Sequence, residues 1–178
     1  MPRPDDTSIP TRPAVPGDAL ALARISAAGF DSYRAWAPAG WAPPESGDAI
    51  DAARLRAQLV HPAAWSRVAD GERGPVGFAL VQPAFTARPG PEPLEGVAHL
   101  LRLFVLPAWW GTGVAAQLLR EATAAAAAEG YDRMRLWTPA GHARAQAFYR
   151  REGFTRVGDA FEEPQLALSL IELWRDVP

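Results

Sequence analysis

Hydrophobic and polar positions alternate in two different rhythms along the chain, and each rhythm predicts a different kind of element. Apolar residues at helical spacing, such as Leu20, Ala23, Ala27 and Phe30, predict amphipathic helices. Short apolar runs between glycine- and proline-rich segments predict strands and turns instead. We therefore expect helices at about 18–36, 48–61, 113–129 and 142–152, and strands at about 9–14, 65–69, 76–81, 97–106, 134–138, 154–157 and 165–175.

The order of these elements sets the fold class. Strands and helices alternate along most of the chain, which predicts an α/β fold with a mixed central sheet of about seven strands and helices on both faces. The chain has 178 residues, a length that suits one domain, and it shows no internal repeat. We expect residues 9–178 to form that single domain and residues 1–8 to be disordered.

The stretch 98–116 combines an apolar strand, a glycine turn and the start of a helix. Pro107 closes the strand, because proline has no N–H for a sheet ladder. Gly111 and Gly113 then open a helical pattern. This order points several backbone N–H groups, and the positive end of a helix dipole, toward one spot. The stretch therefore predicts a site for a phosphate or pyrophosphate group.

Two well-known nucleotide motifs fit this turn poorly. The segment 111–116 matches the dinucleotide fingerprint G-x-G-x-x-G/A, which also requires an acidic residue after the next strand. Glu129 and Asp132 are near the required spacing, but both precede that strand. The chain has no lysine, which a P-loop requires. Coenzyme A is the other cofactor class that such a turn accommodates.

A second motif follows the glycine turn after one helix and one strand. It runs from His142 to Tyr149 and is followed by Gly153 and Phe154. The two motifs together resemble the GCN5-related N-acetyltransferase (GNAT) family. In that family an R/Q-x-x-G-x-G/A turn follows the fourth strand, and N-x-x-A-x-x-F-Y and then G-F follow the fifth. Here Trp110 stands at the usual Arg or Gln position and His142 at the usual Asn position.

This resemblance implies an acetyl-CoA-dependent N-acetyltransferase with a mostly antiparallel sheet that opens between its fourth and fifth strands. It implies that a small-molecule amine attacks the thioester directly. The alternative function is a non-catalytic acyl-CoA-binding sensor or interaction module of the same fold. The resemblance assigns cofactor binding to Leu103, Phe104, Val105, Trp110, Gly111, Thr112, Gly113, Val114, Ala115, His142, Ala145 and Phe148. Because Trp110 replaces a polar side chain, we expect backbone N–H groups to hold the pyrophosphate.

Two residues are candidates for proton transfer. The resemblance makes Tyr149 the general acid, and a phenol keeps its proton at neutral pH. His99 is the candidate base, because many family members carry a glutamate there. If His99 is the base, we expect kcat/KM to fall on the acid side with an apparent pKa of about 6–6.5. Packing of Tyr149 and a core role for His99 are the alternatives. Strand alternation predicts one face with His99, Leu101, Leu103 and Val105, and another with Arg102 and Phe104.

An aromatic group lies at the end of the first predicted helix and in the loop after it. The family builds its acceptor site in this region, so the resemblance implies that the substrate-binding residues are Phe30, Tyr33, Trp36 and Trp41. Core packing accounts for about two of the four. We expect at least one of them to line the acceptor pocket.

Composition and charge exclude several other functions. The net charge is −2, which disfavours a nucleic-acid partner. The chain has no cysteine, so thiol nucleophiles and cysteine metal sites are excluded, and His61, His99 and His142 show no metal-ligand spacing. The apolar stretch 103–119 is interrupted by Pro107 and two glycines, so we expect no membrane span. A cytoplasmic protein is expected, and a homodimer is compatible with the sequence.

Overall fold

The computed structural model describes residues 8–43, 48–86 and 91–178, so the expectation of a disordered segment 1–8 falls outside the described residues except at Ser8. The helices are α1 (Ala19–Asp31), α2 (Asp48–Leu59), α3 (Val114–Ala128) and α4 (Ala143–Arg151). The strands are β1 (Thr11–Pro13), β2 (Trp65–Gly71), β3 (Gly74–Phe85), β4 (Pro93–Val105), β5 (Arg133–Pro139), β6 (Thr155–Glu163) and β7 (Leu168–Asp176). Within these ranges, no helix has the length and apolar character that a membrane crossing demands.

The strands form one sheet in the order β1-β2-β3-β4-β5-β7-β6. Neighbouring strands are antiparallel except β4 and β5, which are parallel. The helix α3 connects these two strands, because a parallel pair needs a crossover rather than a hairpin. The predicted mixed, mostly antiparallel sheet with seven strands in the described residues is confirmed.

Two apolar cores lie on opposite faces of the sheet. On one face, Leu118 and Leu119 of α3 pack with Leu100 and Val105 of β4, and all four side chains are buried. On the other face, α1 and α2 pack against Val68 and Phe78. The prediction of helices on both faces is therefore confirmed. The central strand β4 has its side chains covered on both sides.

A β-bulge in β4 changes which residues share a face. Leu80 of β3 pairs with Arg102, whereas Val81 pairs with Leu100, so Leu101 has no partner in the register. The extra residue reverses the alternation. The predicted grouping of His99 with Leu101, Leu103 and Val105 is wrong for this reason: Ala98, Leu100, Leu103 and Val105 belong to the α3 core, and Phe104 packs toward α1 and α2. His99 and Arg102 lie on the same face as Phe104.

The strands β4 and β5 pair along only a short part of their length. Their paired residues run from Val97 with Arg133 to His99 with Arg135. Beyond that point β5 continues to pair with β7 as far as Pro139, while β4 continues to pair with β3. The sheet therefore opens between its two central strands. The opening lies next to the turn that begins α3.

Candidate active site

A cavity of about 860 Å³ occupies the opening between β4 and β5. Its walls come from the second half of β4, the end of β5, the turn before α3, the region from the end of α1 to Trp36, and α4. Pockets of this size are typical of small-molecule and cofactor sites. The residues from both sequence motifs meet here although they are far apart in the chain.

The turn before α3 lines one end of the cavity with backbone rather than side chains. Gly111 and Gly113 have φ angles of 81° and 91°, a conformation that favours glycine. A Cβ at either position would meet no atom within 4 Å, so conformation and not space demands these glycines. Gly113 is the N-cap of α3, and the first N–H groups of a helix have no intrahelical partner. This end of the cavity therefore presents backbone N–H groups at a helix N-terminus, an arrangement that favours anions.

Trp110 connects the turn to both sides of the cavity. Its indole Nε1 donates a hydrogen bond of 2.8 Å to the Val105 carbonyl oxygen, which fixes the ring against the end of β4. The guanidinium of Arg144 in α4 lies 4.0 Å from the centre of the Trp110 ring, a cation–π contact. The position that is Arg or Gln in the family motif is thus a tryptophan here, and the Arg144 guanidinium stacks on its ring. A positive charge is retained at this end.

Most predicted cofactor residues line the cavity. The exceptions are Thr112, whose hydroxyl donates to the Trp109 carbonyl oxygen at 2.7 Å, and Val114, whose side chain is buried in the core. Both still belong to the turn through their backbone. The lining set comprises Leu103, Phe104, Val105, Trp110, Gly111, Gly113, Ala115, His142, Ala145 and Phe148.

Tyr149 lies in the wall that α4 forms. Its ring contacts Phe148 and Phe154 edge-on, with centroid separations of 5.2 Å and 5.6 Å. Burial, with a smaller effect of Tyr33, raises the pKa of the Tyr149 hydroxyl above its ordinary value. The phenol therefore keeps its proton throughout the neutral range. It both packs in the wall and presents a protonated hydroxyl group, so the two interpretations of Tyr149 are compatible.

Of the four aromatic residues at the end of α1 and after it, two line the cavity and two do not. Tyr33 and Trp36 line the cavity and pack against His142, with ring centroids 5.0 Å and 4.9 Å from the imidazole. Phe30 instead packs on Phe104 at 5.4 Å, and Trp41 donates its indole N–H to the Leu166 carbonyl oxygen at 2.8 Å. Burial raises the pKa of Tyr33 to about 12, so this hydroxyl is also neutral.

Two buried polar atoms of this wall have no hydrogen-bond partner among the described residues. They are Nε1 of Trp36 and Nδ1 of His142. Burial, followed by the charge of Arg144, lowers the pKa of His142. The imidazole is therefore neutral at pH 7. Because buried polar groups are nearly always paired in folded proteins, by protein or by ordered water, these two atoms are available to a bound molecule in the cavity.

His99 lies beside the cavity and is absent from its wall. Its Nδ1 accepts a hydrogen bond of 3.3 Å from Nε of Arg135, and its ring packs on Trp137 at 4.9 Å. A neutral imidazole has one unprotonated nitrogen, and Arg135 occupies it. Burial, helped by the Arg135 charge, lowers the pKa of His99 to about 3. A base that titrates near pH 6–6.5 does not agree with this lowered pKa, and the geometry favours a structural role for His99.

The sequence analysis did not identify Arg102 as a site residue. Arg102 lines the cavity, and its Nε donates to Oε1 of Gln58 in α2 at 2.9 Å. The available signal was a single arginine in the largely apolar run 96–106, which is rare without a partner or a function. The stacking of Arg144 on Trp110 had no local signal, since it depends on how α4 packs against the turn.

Comparison with known proteins identifies the class. The family model described as "Acetyltransferase (GNAT) family" matches residues 28–154, which is more than half of the chain. The chain belongs to this family, and acetyl transfer from an acyl-CoA is the chemistry of its fold. No curated protein matches the chain in sequence.

Solved structures share the fold at low sequence identity. An acetyltransferase of the GNAT family from Staphylococcus aureus Mu50 is similar with a TM-score of 0.73 and 14% identity, covering 96% of this chain and 100% of the other. An acetyltransferase from Thermus thermophilus gives 0.68 and 21%, covering 95% and 97%. A PaiA N-acetyltransferase from Thermoplasma acidophilum, in complex with coenzyme A, gives 0.66 and 18%, covering 93% and 98%.

Proposed function

We propose that this protein is an acetyl-CoA-dependent N-acetyltransferase that acts on the amine of a small molecule. The observation that carries the proposal is one cavity, placed where β4 and β5 separate, with an anion-binding turn at one end and an aromatic wall at the other. Bound acetyl-CoA supplies an activated acetyl thioester. A cofactor with an anionic head and a long neutral arm suits this arrangement.

The turn before α3 would hold the pyrophosphate through backbone N–H groups, with Arg144 adding charge from α4. The exposed backbone of β4 from Leu103 to Val105 would bind the amide groups of the pantetheine arm. The acceptor amine would then bind against the wall formed by Tyr33, Trp36 and His142. Catalysis in such a site is mainly positioning and proton management.

Tyr149 is the proposed proton donor, since its raised pKa keeps the hydroxyl protonated at working pH. We assign acceptance of the amine's proton to His142 rather than His99. His142 lines the cavity, is neutral at pH 7, and has an unpartnered nitrogen there, whereas the free nitrogen of His99 is occupied by Arg135. If His99 were the base instead, His99→Gln rather than His142→Gln would remove the acid limb of kcat/KM.

The experiment for the reaction is thiol release from acetyl-CoA across a panel of small amines, with the acetylated amine identified by mass spectrometry. We expect amine-dependent thiol release and a matching product. Tight acetyl-CoA binding with no product from any amine would instead support the non-catalytic acyl-CoA-binding module.

The pH dependence of kcat/KM tests which histidine accepts the amine's proton. With His142 as base, protonation of the imidazole should lower kcat/KM at pH values below the ordinary histidine pKa of about 6.5, because the imidazole stays neutral down to a lower pH. Titration of the amine itself adds a separate slope at higher pH, so the acid limb is the diagnostic one. His142→Gln should remove that acid limb and lower the rate. An unchanged limb in His142→Gln, together with its loss in His99→Gln, would return the role to His99.

A further inference from the structure

The part of the cavity wall facing α1 contains a guanidinium as well as aromatic rings. Arg102 follows the bulge at Leu101, which turns it toward the α1 and α2 side of the sheet together with Phe104. Its hydrogen bond to Gln58 uses Nε. In the described parts of the chain, no residue accepts a hydrogen bond from its two Nη groups, and Arg102 is one of the residues that line the cavity. A forked pair of donors is thus available to a ligand.

A second donor in the same wall is the indole N–H of Trp36. The ring is fixed between Tyr33 and His142, and Gly141 lies so close that a Cβ there would come within 3.0 Å of it. A buried N–H without a partner costs about 1–3 kcal/mol. Its indole N–H has no hydrogen-bond partner among the described residues. This donor is available to a ligand that brings a hydrogen-bond acceptor to this position.

The charges of the wall are unbalanced. Among the described lining residues the one carboxylate is Glu152, which follows the last residue of α4. The part of the wall built by α1, Tyr33, Trp36 and the Arg102–Phe104 segment has no carboxylate to pair with a ligand's ammonium group. Burial lowers the pKa of Arg102, the charge of Asp51 opposes this effect, and the charge of Arg54 adds to it. An arginine guanidinium stays charged at pH 7 in proteins, so Arg102 is a cation. The complementary ligand group is an anion.

We propose that the acceptor amine also carries a carboxylate, as an amino acid does, and that Arg102 and the Trp36 N–H bind it. Guanidinium and carboxylate form charge-assisted, often bidentate hydrogen bonds, which fix orientation as well as add affinity. The carboxylate would thus position the neighbouring amine in the cavity. This inference deepens the proposed function and rests on it for the identity of the reacting group.

The test uses matched ligands that differ only in the carboxylate: the standard amino acids and their C-terminal amides. Binding is measured by calorimetry with coenzyme A present, so no turnover is required, and acetylation is measured separately. We expect at least one acid to bind tighter than its amide by about tenfold to a hundredfold, the range of a hydrogen bond to a charged group. Arg102→Gln should abolish this preference, Arg102→Lys should retain part of it, and Trp36→Phe should reduce it.

Arg144→Gln is the matched control, because it makes the same substitution at the Trp110 end of the same cavity. It should weaken coenzyme A binding while the ratio of acid to amide affinity stays unchanged. Circular dichroism checks folding, and if Arg102→Gln does not fold, Arg102→Lys and Trp36→Phe carry the test.

The outcomes separate this inference from the proposed function. Preferential binding of acids without acetylation would support the carboxylate site and contradict acetyl transfer. Acetylation of amides as efficient as that of acids would overturn the carboxylate site and leave acetyl transfer intact. If no acid binds better than its amide, or if Arg144→Gln abolishes the preference as fully as Arg102→Gln, the inference is wrong.

Discussion

The buried histidine beside the cavity makes a quantitative prediction about stability and pH. His99 is 5% exposed and accepts a hydrogen bond from Arg135, whose positive charge further disfavours protonation. Its pKa is lowered to about 3 in the folded protein, against 6.5 for an unperturbed histidine. His99→Gln is the informative change, because glutamine keeps an oxygen that can accept from Arg135 but does not titrate.

The sign and size of the pH effect on the free energy of unfolding follow from proton binding at His99. Between pH 6.5 and about 3 the unfolded chain binds a proton at His99 that the folded protein does not bind. The free energy of unfolding therefore falls as the pH falls through 6.5, and this contribution stops growing near pH 3. At pH 5 the loss relative to pH 8 is about 2 kcal/mol from this residue. The lowered pKa of His142 acts in the same direction in both proteins and cancels in the comparison.

The assay is urea denaturation at pH 5 and pH 8 for the wild type and His99→Gln. The variant should lose about 2 kcal/mol less than the wild type between the two pH values. His61→Gln is the control, since His61 is exposed, and it should keep the wild-type pH dependence. An identical pH dependence in His99→Gln and wild type would refute the burial argument. The same variant should also retain turnover at pH 7, whereas the hypothesis of His99 as base predicts its loss.

Three further predictions concern the cavity. Gly113→Asp should abolish the thermal stabilisation by acetyl-CoA, because the new carboxylate would face the pyrophosphate. Gly130→Asp, at an equally open glycine of positive φ, should keep that stabilisation. Loss in both variants would indicate backbone strain alone. Tyr149→Phe should lower kcat by about a hundredfold with little change in acetyl-CoA affinity, as measured by steady-state kinetics and calorimetry; wild-type turnover would leave Tyr149 a packing residue. Trp36→Ala should raise KM for the amine more than Trp41→Ala does, since only Trp36 of the two lines the cavity; equal effects in a kinetic comparison would contradict this division.

The element order and the glycine turn before α3 were predictable from the sequence for physical reasons. The helices have clear apolar periodicity, and Gly111 and Gly113 occupy positions whose backbone conformation favours glycine. Each motif carries its signal within a few consecutive residues. The cavity forms where the two motifs meet, so the end of the cavity at the glycine turn could be anticipated without a structure.

The acceptor end could not be anticipated in the same way. The bulge at Leu101 lies in a largely apolar run and reverses the side-chain alternation there. His99 therefore shares a face with Arg102 and Phe104, which simple alternation along the strand does not predict. The hydrogen bond between His99 and Arg135 joins residues 36 positions apart, and it depends on the register of two strands. The role of a residue that depends on such a pairing can be assigned only when the register of the two strands is known.

The central claim is direct acetyl transfer to an amine in the cavity between β4 and β5. A single-turnover experiment tests it most directly: the protein is loaded with isotopically labelled acetyl-CoA, mixed with an accepted amine, and quenched for mass spectrometry of both protein and small molecules. The account predicts that the label passes to the amine at the rate of thiol release, with the protein unlabelled at every time point. A labelled protein that forms before the product, or thiol release without a labelled amine, would contradict it.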